Sequence, residues 1–361
     1  MSLAFALGRR ALGNAWPNPA VGAVVVRDEG GVSIIIGRGW TQPGGRPHAE
    51  SEALRRAGAA ARGATMYVTL EPCSHHGKTP PCADAIVAAG IARVVSALED
   101  PNPKVAGQGH ARLRAAGIAV DVGVGAQQAL RAHAGHIRRV RDGRPHVLLK
   151  LAISFDGKVG LAGGQPVAIT GDSARERVHM MRAMNDAILI GIGTALADDP
   201  LLTCRLPGMA RRSPVRVVLD AGLRLSPASR LAQTARETPL WIIAAPAARS
   251  SAEQALRAQG AEIFRLVASD EKLEAESVLK LLAERGITRL MVEGGPTVAA
   301  SFVSGDFVDE VALFRSPNPI GTEGIDALKN LPLTALTQSP RLRAMGSEKL
   351  GQDVVEIFER V

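Results

Sequence analysis

The chain has 361 residues, of which 46% are hydrophobic and 3% aromatic. Because one domain commonly takes about 100–200 residues, this length predicts two domains with mainly aliphatic cores. No stretch approaches the run of about 20 apolar residues that spans a bilayer, and the N-terminus lacks the apolar segment and cleavage site of a signal peptide. We therefore expect a cytoplasmic protein with no membrane partner.

A formal net charge of +8 suits nucleic acid, anionic lipid or a phosphorylated small molecule as a partner. The arginines are scattered along the chain, apart from a short cluster at Arg138, Arg139 and Arg141. We interpret most of them as a solvated basic surface. The pattern favours a phosphorylated small molecule, and we expect no nucleic acid partner.

The first part of the chain alternates between strand and helix patterns. It has apolar strands at 21–26, 65–70 and 92–97, helices at 50–61 and 82–89, and a helical segment after Val124 through Arg141. Alternation of this kind predicts helices packed against a sheet. The run Asp142-Gly143-Arg144-Pro145 is a turn or linker signal, so we place a domain boundary there and predict domains at 1–144 and 145–361.

The second part repeats the α/β pattern without resembling the first. Strands are predicted at 147–153, 187–191, 215–219, 240–244 and 290–292, with helices at 173–184, 271–285 and 297–303. This order predicts a second α/β domain.

Three potential metal ligands follow one another in the first part. His48 stands where a helix begins, Cys73 follows a predicted strand, and Cys82 begins the next helix. One imidazole and two thiolates make a three-ligand zinc site with an open fourth position, which catalysis requires. Glu50, two positions after His48, can face that position and transfer protons without binding the metal. Each residue alone would be an ordinary thiol or surface histidine, but together they predict zinc deaminase chemistry.

A second group of residues follows strands of the second part. Glu293-Gly294-Gly295 comes after the strand at 290–292 and opens a helix, so that backbone N–H groups could meet a phosphate. The segment 191–205, predicted as a loop, carries Asp198 and ends at Arg205. Ligands settle at the carboxyl ends of parallel strands, where Asp198 can bind ribose hydroxyls and Arg182 with Arg205 can hold a phosphate. A tight turn is the simpler reading of each motif taken alone.

Four motifs of the first part resemble the deaminase half of the bifunctional riboflavin biosynthesis deaminase/reductase family. They are NPAVG at 18–22, HAE at 48–50, TLEPCSHHGKTPPC at 69–82 and DPNP at 100–103. The resemblance implies a cytidine-deaminase-like α/β/α domain in which His48, Cys73 and Cys82 bind Zn²⁺ and Glu50 is the proton shuttle. It also implies that Asn18 and Lys78 contact the substrate. This chain has Thr41 where relatives often carry a histidine.

The second part resembles the reductase half of the same family, which has a dihydrofolate-reductase-like α/β fold. The motifs are KLAISFDGK at 150–158, ITG at 169–171, ADDPLLT at 197–203 and EGG at 293–295. The resemblance places the following residues at NADPH positions: Ala152, Ala168, Thr194, Asp198, Gly295, Pro296, Thr297, Val298, Ala299, Ala300 and Ser301. It places these at substrate positions: Pro166, Arg182, Asp198, Leu202, Arg205 and Glu293. Pro166 and Ala168 replace residues with a hydroxyl and an aromatic ring.

The resemblance implies a two-step enzyme that uses Zn²⁺ and NADPH on a phosphorylated pyrimidine. It first releases the 2-amino group of 2,5-diamino-6-(5-phosphoribosylamino)pyrimidin-4(3H)-one, then reduces the ribosyl group to give 5-amino-6-(5-phosphoribitylamino)uracil. Whether the chain forms a homo-oligomer stays open. So do three alternatives: a deaminase whose reductase domain is inactive, a tRNA or nucleobase deaminase, and a binding protein in which zinc only staples a loop. The tRNA deaminases have a short Pro-Cys-x-x-Cys motif, which this chain lacks.

Overall fold

The structure, a computed structural model, describes residues 1–75, 80–103, 105–161, 167–269 and 272–361. The chain divides into two compact units, Met1–Arg144 and Pro145–Val361. None of the helices in the described ranges has the length and apolarity that crossing a bilayer requires.

Unit 1 is built on a five-stranded mixed sheet. Its elements are α1 (Ser2–Arg9), β1 (Gly22–Glu29), β2 (Val32–Trp40), α2 (Ala49–Ala57), β3 (Thr65–Val68), α3 (Cys82–Ala88), β4 (Arg93–Ser96), α4 (Gln108–Ala115), β5 (Ala119–Val122), α5 (Ala126–Ala132) and α6 (Ala134–Asp142). The sheet order is β2-β1-β3-β4-β5. Strand β1 runs antiparallel to β2 and β3, whereas β3, β4 and β5 are parallel. The predicted α/β class is confirmed for this unit.

Helix α2 lies close against β2, and two glycines make that approach possible. A Cβ on Gly37 would stand 2.2 Å from the Ala53 carbonyl oxygen, and one on Gly39 would stand 2.1 Å from that of Ala49. Real Cβ atoms do not approach backbone this closely, so any larger residue would push the helix away. The start of α2, which follows His48, is therefore fixed against the sheet.

The predicted helical segment after Val124 is two helices, because the chain breaks at His133. The backbone of His133 leaves the helical region with φ −101° and ψ 13°. Its side chain is buried, and Nε2 lies 3.0 Å from the Thr69 carbonyl oxygen and 3.2 Å from Thr69 Oγ1. One side chain thus ties the α5–α6 junction to the end of β3. The single-helix prediction was wrong because this tertiary contact outweighs local helix propensity.

We expect His133 to make unit 1 less stable in acid. Burial lowers the pKa of His133 to about 4. The unfolded chain takes up a proton below about pH 6.5 and the folded chain does not, so stability falls as pH falls from about 6.5 towards 4. The free energy of unfolding should drop by about 2 kcal/mol between pH 7.5 and pH 5 through this group. In the His133→Gln variant, the free energy of unfolding measured with denaturant at both pH values should fall by about 2 kcal/mol less than in the wild type.

His75→Gln is the matched control, since His75 is exposed. It should keep the pH dependence of the wild type. An unchanged pH dependence in His133→Gln would contradict the prediction.

Unit 2 is built on a nine-stranded sheet that is mostly parallel. Its elements are β6 (His146–Ile153), β7 (Lys158–Leu161), α7 (Asp172–Ala183), β8 (Ala187–Gly191), α8 (Ile192–Asp198), β9 (Val215–Leu219), α9 (Arg230–Gln233), β10 (Leu240–Ala244), α10 (Ser250–Ala258), β11 (Glu262–Arg265), β12 (Ala268–Ser269), β13 (Lys272–Leu273), α11 (Ala275–Glu284), β14 (Arg289–Val292), α12 (Pro296–Ser304), β15 (Glu310–Arg315), β16 (Gly324–Asp326), α13 (Thr334–Thr337), β17 (Leu342–Leu350) and β18 (Asp353–Arg360). The sheet order is β11-β10-β9-β8-β14-β6-β15-β18-β17. Strands β18 and β17 form an antiparallel edge. The predicted α/β class is confirmed here too.

The central strands are buried on both faces, as near-continuous apolar runs predict for parallel strands. Every residue of β8 and of β10 is buried. Because β8, β9, β10, β14 and β6 are parallel, their carboxyl ends meet at one edge of the sheet. The segment 191–205, predicted as a loop, begins with α8 instead. That helix ends at Asp199, which adopts a left-handed conformation with φ 36°.

Candidate functional site

The three predicted metal ligands of unit 1 lie together. His48 precedes the first residue of α2, Cys82 is the first residue of α3, and Cys73 comes from the segment after β3. His48 Nδ1 lies 3.2 Å from Cys82 Sγ and 3.6 Å from Cys73 Sγ. The three ligand atoms all lie within 4.8 Å of one another. This is the spacing at which one ion can contact all three.

The surroundings of Cys73 favour its thiolate form, which suits a cation. The backbone N–H of Cys82 donates to Cys73 Sγ at 3.3 Å. A hydrogen bond from the Cys82 thiol, together with this backbone N–H and the His48 ring, lowers the pKa of Cys73. Thiolate and imidazole ligands in a three-residue set fit zinc and fit neither magnesium nor calcium.

Glu50 lies beside this cluster in the first turn of α2. Its side chain is 3% exposed, and burial raises the pKa of Glu50. It makes a side-chain hydrogen bond with Cys82. Glu50 is not one of the three clustered ligands. A buried carboxyl that borders the ligands without joining them is positioned to carry protons.

Asn18 borders the cluster on the His48 side. Its Nδ2 donates to the Gly45 carbonyl oxygen at 2.8 Å and lies 3.3 Å from His48 Nε2. Thr41, which stands where relatives often have histidine, is buried, and its hydroxyl donates to the Pro19 carbonyl oxygen at 2.9 Å. Thr41 therefore holds the segment that carries Asn18. Lys78, the other predicted substrate contact, lies outside the described residues.

Glu71 fixes the segment that leads to Cys73. Its two carboxylate oxygens accept four backbone N–H groups at 2.8–3.2 Å, those of Asp100, Gly107, Gly109 and His110. A buried carboxylate satisfied in this way joins two loops rigidly. No role was predicted for Glu71 from the sequence, although an acidic residue directly after an apolar strand was a signal.

Unit 2 contains a cavity of about 1450 Å³ at the carboxyl ends of its parallel strands. Many predicted residues line it: Ala152, Ala168, Arg182, Thr194, Asp198, Leu202, Gly295, Pro296, Thr297, Val298, Ser301 and Glu293. Ala299 and Ala300 do not line it, because they are buried and face the other side of α12. Pro166 lies outside the described residues.

A bidentate ion pair lies at the centre of the cavity. Arg182 Nε donates to Glu293 Oε2 at 3.0 Å, and Arg182 Nη2 donates to Glu293 Oε1 at 2.9 Å. Burial alone would raise the pKa of Glu293, but Arg182 and Lys150 lower it to about 2. Lys150 Nζ lies 3.5 Å from Glu293 Oε1. Lys150 was not predicted as a site residue, although a lysine between Leu149 and Leu151 of a buried strand was a signal.

The glycine motif after β14 lines the cavity where helix α12 begins. Gly294 and Gly295 have φ of 104° and 35°. A Cβ on Gly294 would meet nothing within 4 Å, whereas one on Gly295 would stand 2.7 Å from Thr194 Oγ1. Helix α12 begins at Pro296, so its free N–H groups border the cavity there. The arrangement fits the pyrophosphate of a dinucleotide.

Arg205 is exposed, next to the cavity but not lining it. Burial of part of its side chain lowers the pKa of Arg205, and the nearby guanidinium groups of Arg182 and Arg230 lower it further. Burial raises the pKa of Asp198. Leu202 adopts a left-handed conformation with φ 54° while it remains buried. The positive charge of Arg182 and of Arg230 near Arg205 suits a phosphate.

Comparisons with known proteins identify the family of each unit. The family described as the cytidine and deoxycytidylate deaminase zinc-binding region matches residues 1–98, and the RibD C-terminal domain family matches residues 145–356. Riboflavin biosynthesis protein RibD of Escherichia coli is 38% identical, and the match covers 98% of this chain and 96% of that protein.

Two solved structures resemble the whole chain. RibD of Acinetobacter baumannii is 33% identical with a TM-score of 0.87, and the match covers 100% of this chain and 97% of that one. A diaminohydroxyphosphoribosylaminopyrimidine deaminase/5-amino-6-(5-phosphoribosylamino)uracil reductase of Thermotoga maritima is 36% identical with a TM-score of 0.85 and the same coverage. The chain belongs to the RibD family of bifunctional riboflavin biosynthesis enzymes, which have a zinc-dependent deaminase and an NADPH-dependent reductase.

Proposed function

We propose that unit 1 removes the 2-amino group of 2,5-diamino-6-(5-phosphoribosylamino)pyrimidin-4(3H)-one as ammonia. We propose that unit 2 then reduces the ribosyl group of that product, giving 5-amino-6-(5-phosphoribitylamino)uracil. The observation that carries the proposal is the cluster of His48, Cys73 and Cys82 with the buried Glu50 carboxyl beside it. The Thermotoga maritima relative is named for the same two activities.

In unit 1, His48, Cys73 and Cys82 would hold zinc. Zinc, when bound, supplies Lewis acidity that makes a water nucleophilic near neutral pH. Glu50 transfers one proton of the attacking water to the ring nitrogen and then transfers its second proton to the amine, so that the C–N bond breaks and ammonia leaves as the carbonyl forms. Asn18, fixed by its bond to Gly45, orients the pyrimidine ring. Lys78 is proposed as a further substrate contact.

In unit 2, the cofactor would extend along the carboxyl ends of the strands. NADPH supplies the hydride for the reduction. The proposed cofactor contacts are Ala152, Ala168, Thr194, Asp198 and the residues of α12 from Gly295 to Ser301 that line the cavity. Proposed substrate contacts are Pro166, Arg182, Asp198, Leu202, Arg205 and Glu293. The Arg182–Glu293 pair keeps both charges in place at the reacting end.

The partner is proposed to be a phosphorylated small molecule, with no nucleic acid. Arg205 supports this, because the charges of Arg182 and Arg230 act on its guanidinium group and such a positive environment favours a phosphate. We also propose that the protein works in the cytoplasm. Its three cysteines are free thiols, which is usual in a reducing compartment.

Removal of the metal tests whether unit 1 needs a metal ion for deamination while unit 2 reduces its substrate without one. Dialysis of the purified chain against a chelator should abolish ammonia release from the diaminopyrimidine ribotide, and added Zn²⁺ should restore it. The same dialysed protein should still oxidise NADPH when it is given the deaminated product. Ammonia is measured by a coupled assay and NADPH by its absorbance.

Two other outcomes would contradict the proposal, each in a different unit. Ammonia release that survives complete removal of metal would refute the zinc deaminase in unit 1. Ammonia release without any NADPH oxidation would instead identify a deaminase with an inactive reductase unit, the alternative raised by the changed residues Pro166 and Ala168.

A further inference from the structure

The cavity of unit 2 extends beyond the proposed hydride-transfer region. That region lies at β6 and β14, with Lys150 and Glu293, and the glycine motif at Gly294 and Gly295 follows β14 next to Thr194 of α8. From there the cavity continues over the ends of β9 and β10, where its lining includes Gly222, Arg224 and Arg249. Neighbouring strands are about 4.8 Å apart, so the four strand spacings from β6 to β10 cover about 19 Å. It is long enough for an extended dinucleotide.

The turn after β9 fixes the position of Arg224. The Leu225 backbone N–H donates to Asp220 Oδ2 at 2.8 Å, and the Leu223 N–H donates to the Asp220 carbonyl oxygen at 3.1 Å. Leu223 and Leu225 are both buried in the core of unit 2. Arg224 lies between these two anchors and is itself exposed at the cavity. The turn thus holds one cationic side chain at the end of β9.

Arg249 occupies the corresponding place after β10. It directly precedes the first residue of α10, and the neighbouring Ala248 packs against the same core. Its side chain is exposed and lines the cavity. Because β9 and β10 are adjacent and parallel, Arg224 and Arg249 follow neighbouring strand ends. Two cations therefore border the same end of the cavity.

The four arginines that line the cavity differ in their partners. Arg182 is paired with Glu293, and Arg175 is paired with Asp172. Within the described ranges of the chain, the guanidinium groups of Arg224 and Arg249 have neither a hydrogen-bonding partner nor an ion-pair partner. Their charges are therefore available to a ligand at the far end from Glu293.

We propose that Arg224 and Arg249 bind the 2′-phosphate on the adenosine ribose of NADPH and so make the reductase prefer NADPH to NADH. The inference rests on the proposed function, because that function places the reacting end at the Arg182–Glu293 pair and extends the cofactor from there along the carboxyl ends of the strands. The adenosine then lies over the ends of β9 and β10. A phosphomonoester there can accept charge-assisted hydrogen bonds from both guanidinium groups.

Calorimetric titration with two adenosine nucleotides tests this without catalysis. The wild type should bind 2′,5′-ADP more tightly than 5′-AMP, which lacks the 2′-phosphate. Arg224→Ala and Arg249→Ala should each weaken 2′,5′-ADP binding by about 10–100-fold and leave 5′-AMP binding unchanged. In the reductase assay the same variants should raise KM for NADPH and leave KM for NADH unchanged. Arg224→Lys should recover part of the loss, since it keeps the charge without the planar fork.

Arg343→Ala is the matched control, because Arg343 is an exposed arginine of β17 that does not line the cavity. It should change neither titration. Equal affinity of the wild type for both nucleotides, or variants that bind 2′,5′-ADP normally, would overturn the role of the arginines and leave the proposed function standing. Failure of both nucleotides to bind the wild type would refute the placement of the cofactor in this cavity, and the inference with it.

Discussion

Replacing Glu50 by glutamine is expected to slow ammonia release by about 10²–10⁴-fold, the usual range for loss of a general acid–base group. Glutamine keeps the shape of the side chain but cannot take a proton from water. Since Glu50 lies beside the three clustered ligands and is not one of them, the variant should keep its full zinc content. Ammonia assays and metal analysis on the same preparation measure both quantities.

Glu52→Gln is the matched control on the same helix. Glu52 pairs with Arg55 and Arg56, away from the ligands, so its neutralisation should leave the deaminase rate nearly unchanged. Wild-type ammonia release by Glu50→Gln would indicate that zinc in unit 1 only staples a loop. Loss of zinc from Glu50→Gln would mean that the carboxyl belongs to the metal site itself.

Arg182→Ala is expected to destabilise unit 2 by about 3–5 kcal/mol, because it leaves a buried carboxylate without its bidentate partner. The Arg182 and Glu293 side chains are only 11% and 10% exposed. NADPH oxidation should be lost, while ammonia release by unit 1 should persist. Trp241 is the single tryptophan of unit 2, so its fluorescence, in a background with Trp16 and Trp40 replaced by phenylalanine, reports denaturant unfolding of that unit.

Arg177→Ala controls for the loss of an arginine from the same helix. Arg177 pairs with Glu348 at the surface, and an exposed pair contributes at most about 1 kcal/mol. The triple variant Lys150→Met, Arg182→Met and Glu293→Gln should regain much of the stability without regaining NADPH oxidation, because all three charges of the cluster are then removed together. A fully stable Arg182→Ala protein would contradict this account of the ion pair.

The strands whose bounds the sequence predicted are buried ones, although the buried strand β15 was missed. Strands β8, β9 and β10 have the predicted bounds, since continuous apolar runs can only be buried strands or helices and their length selects strands. Strands β2 and β17 were missed because most of their residues are exposed at sheet edges, where no apolar pattern is required. The α5–α6 break depends on a contact between His133 and Thr69, which are 64 residues apart.

Some residues of the candidate sites were predictable from the sequence and others were not. The clustering of His48, Cys73 and Cys82 was predictable because metal ligands are rare residue types in a recognisable motif, and the family predicted from the motifs is confirmed. Arg224 and Arg249 were not predictable, because the chain has many arginines and only the parallel order of β9 and β10 brings these two together. Their roles, like those of the other site residues, stay predictions that the experiments above address.

The strand order of unit 2 also determines when each half can fold during synthesis. Strand β6 opens the unit, yet its neighbours in the sheet are β14 and β15, and Lys150 meets Glu293 across 143 residues of chain. A nascent chain therefore cannot close this sheet until its last quarter has left the ribosome. Unit 1, whose ligands all lie before residue 83, has no such delay. We expect unit 1 to fold and bind zinc while the chain is still attached to the ribosome. Unit 2 should fold later, after β14 and β15 have been synthesised.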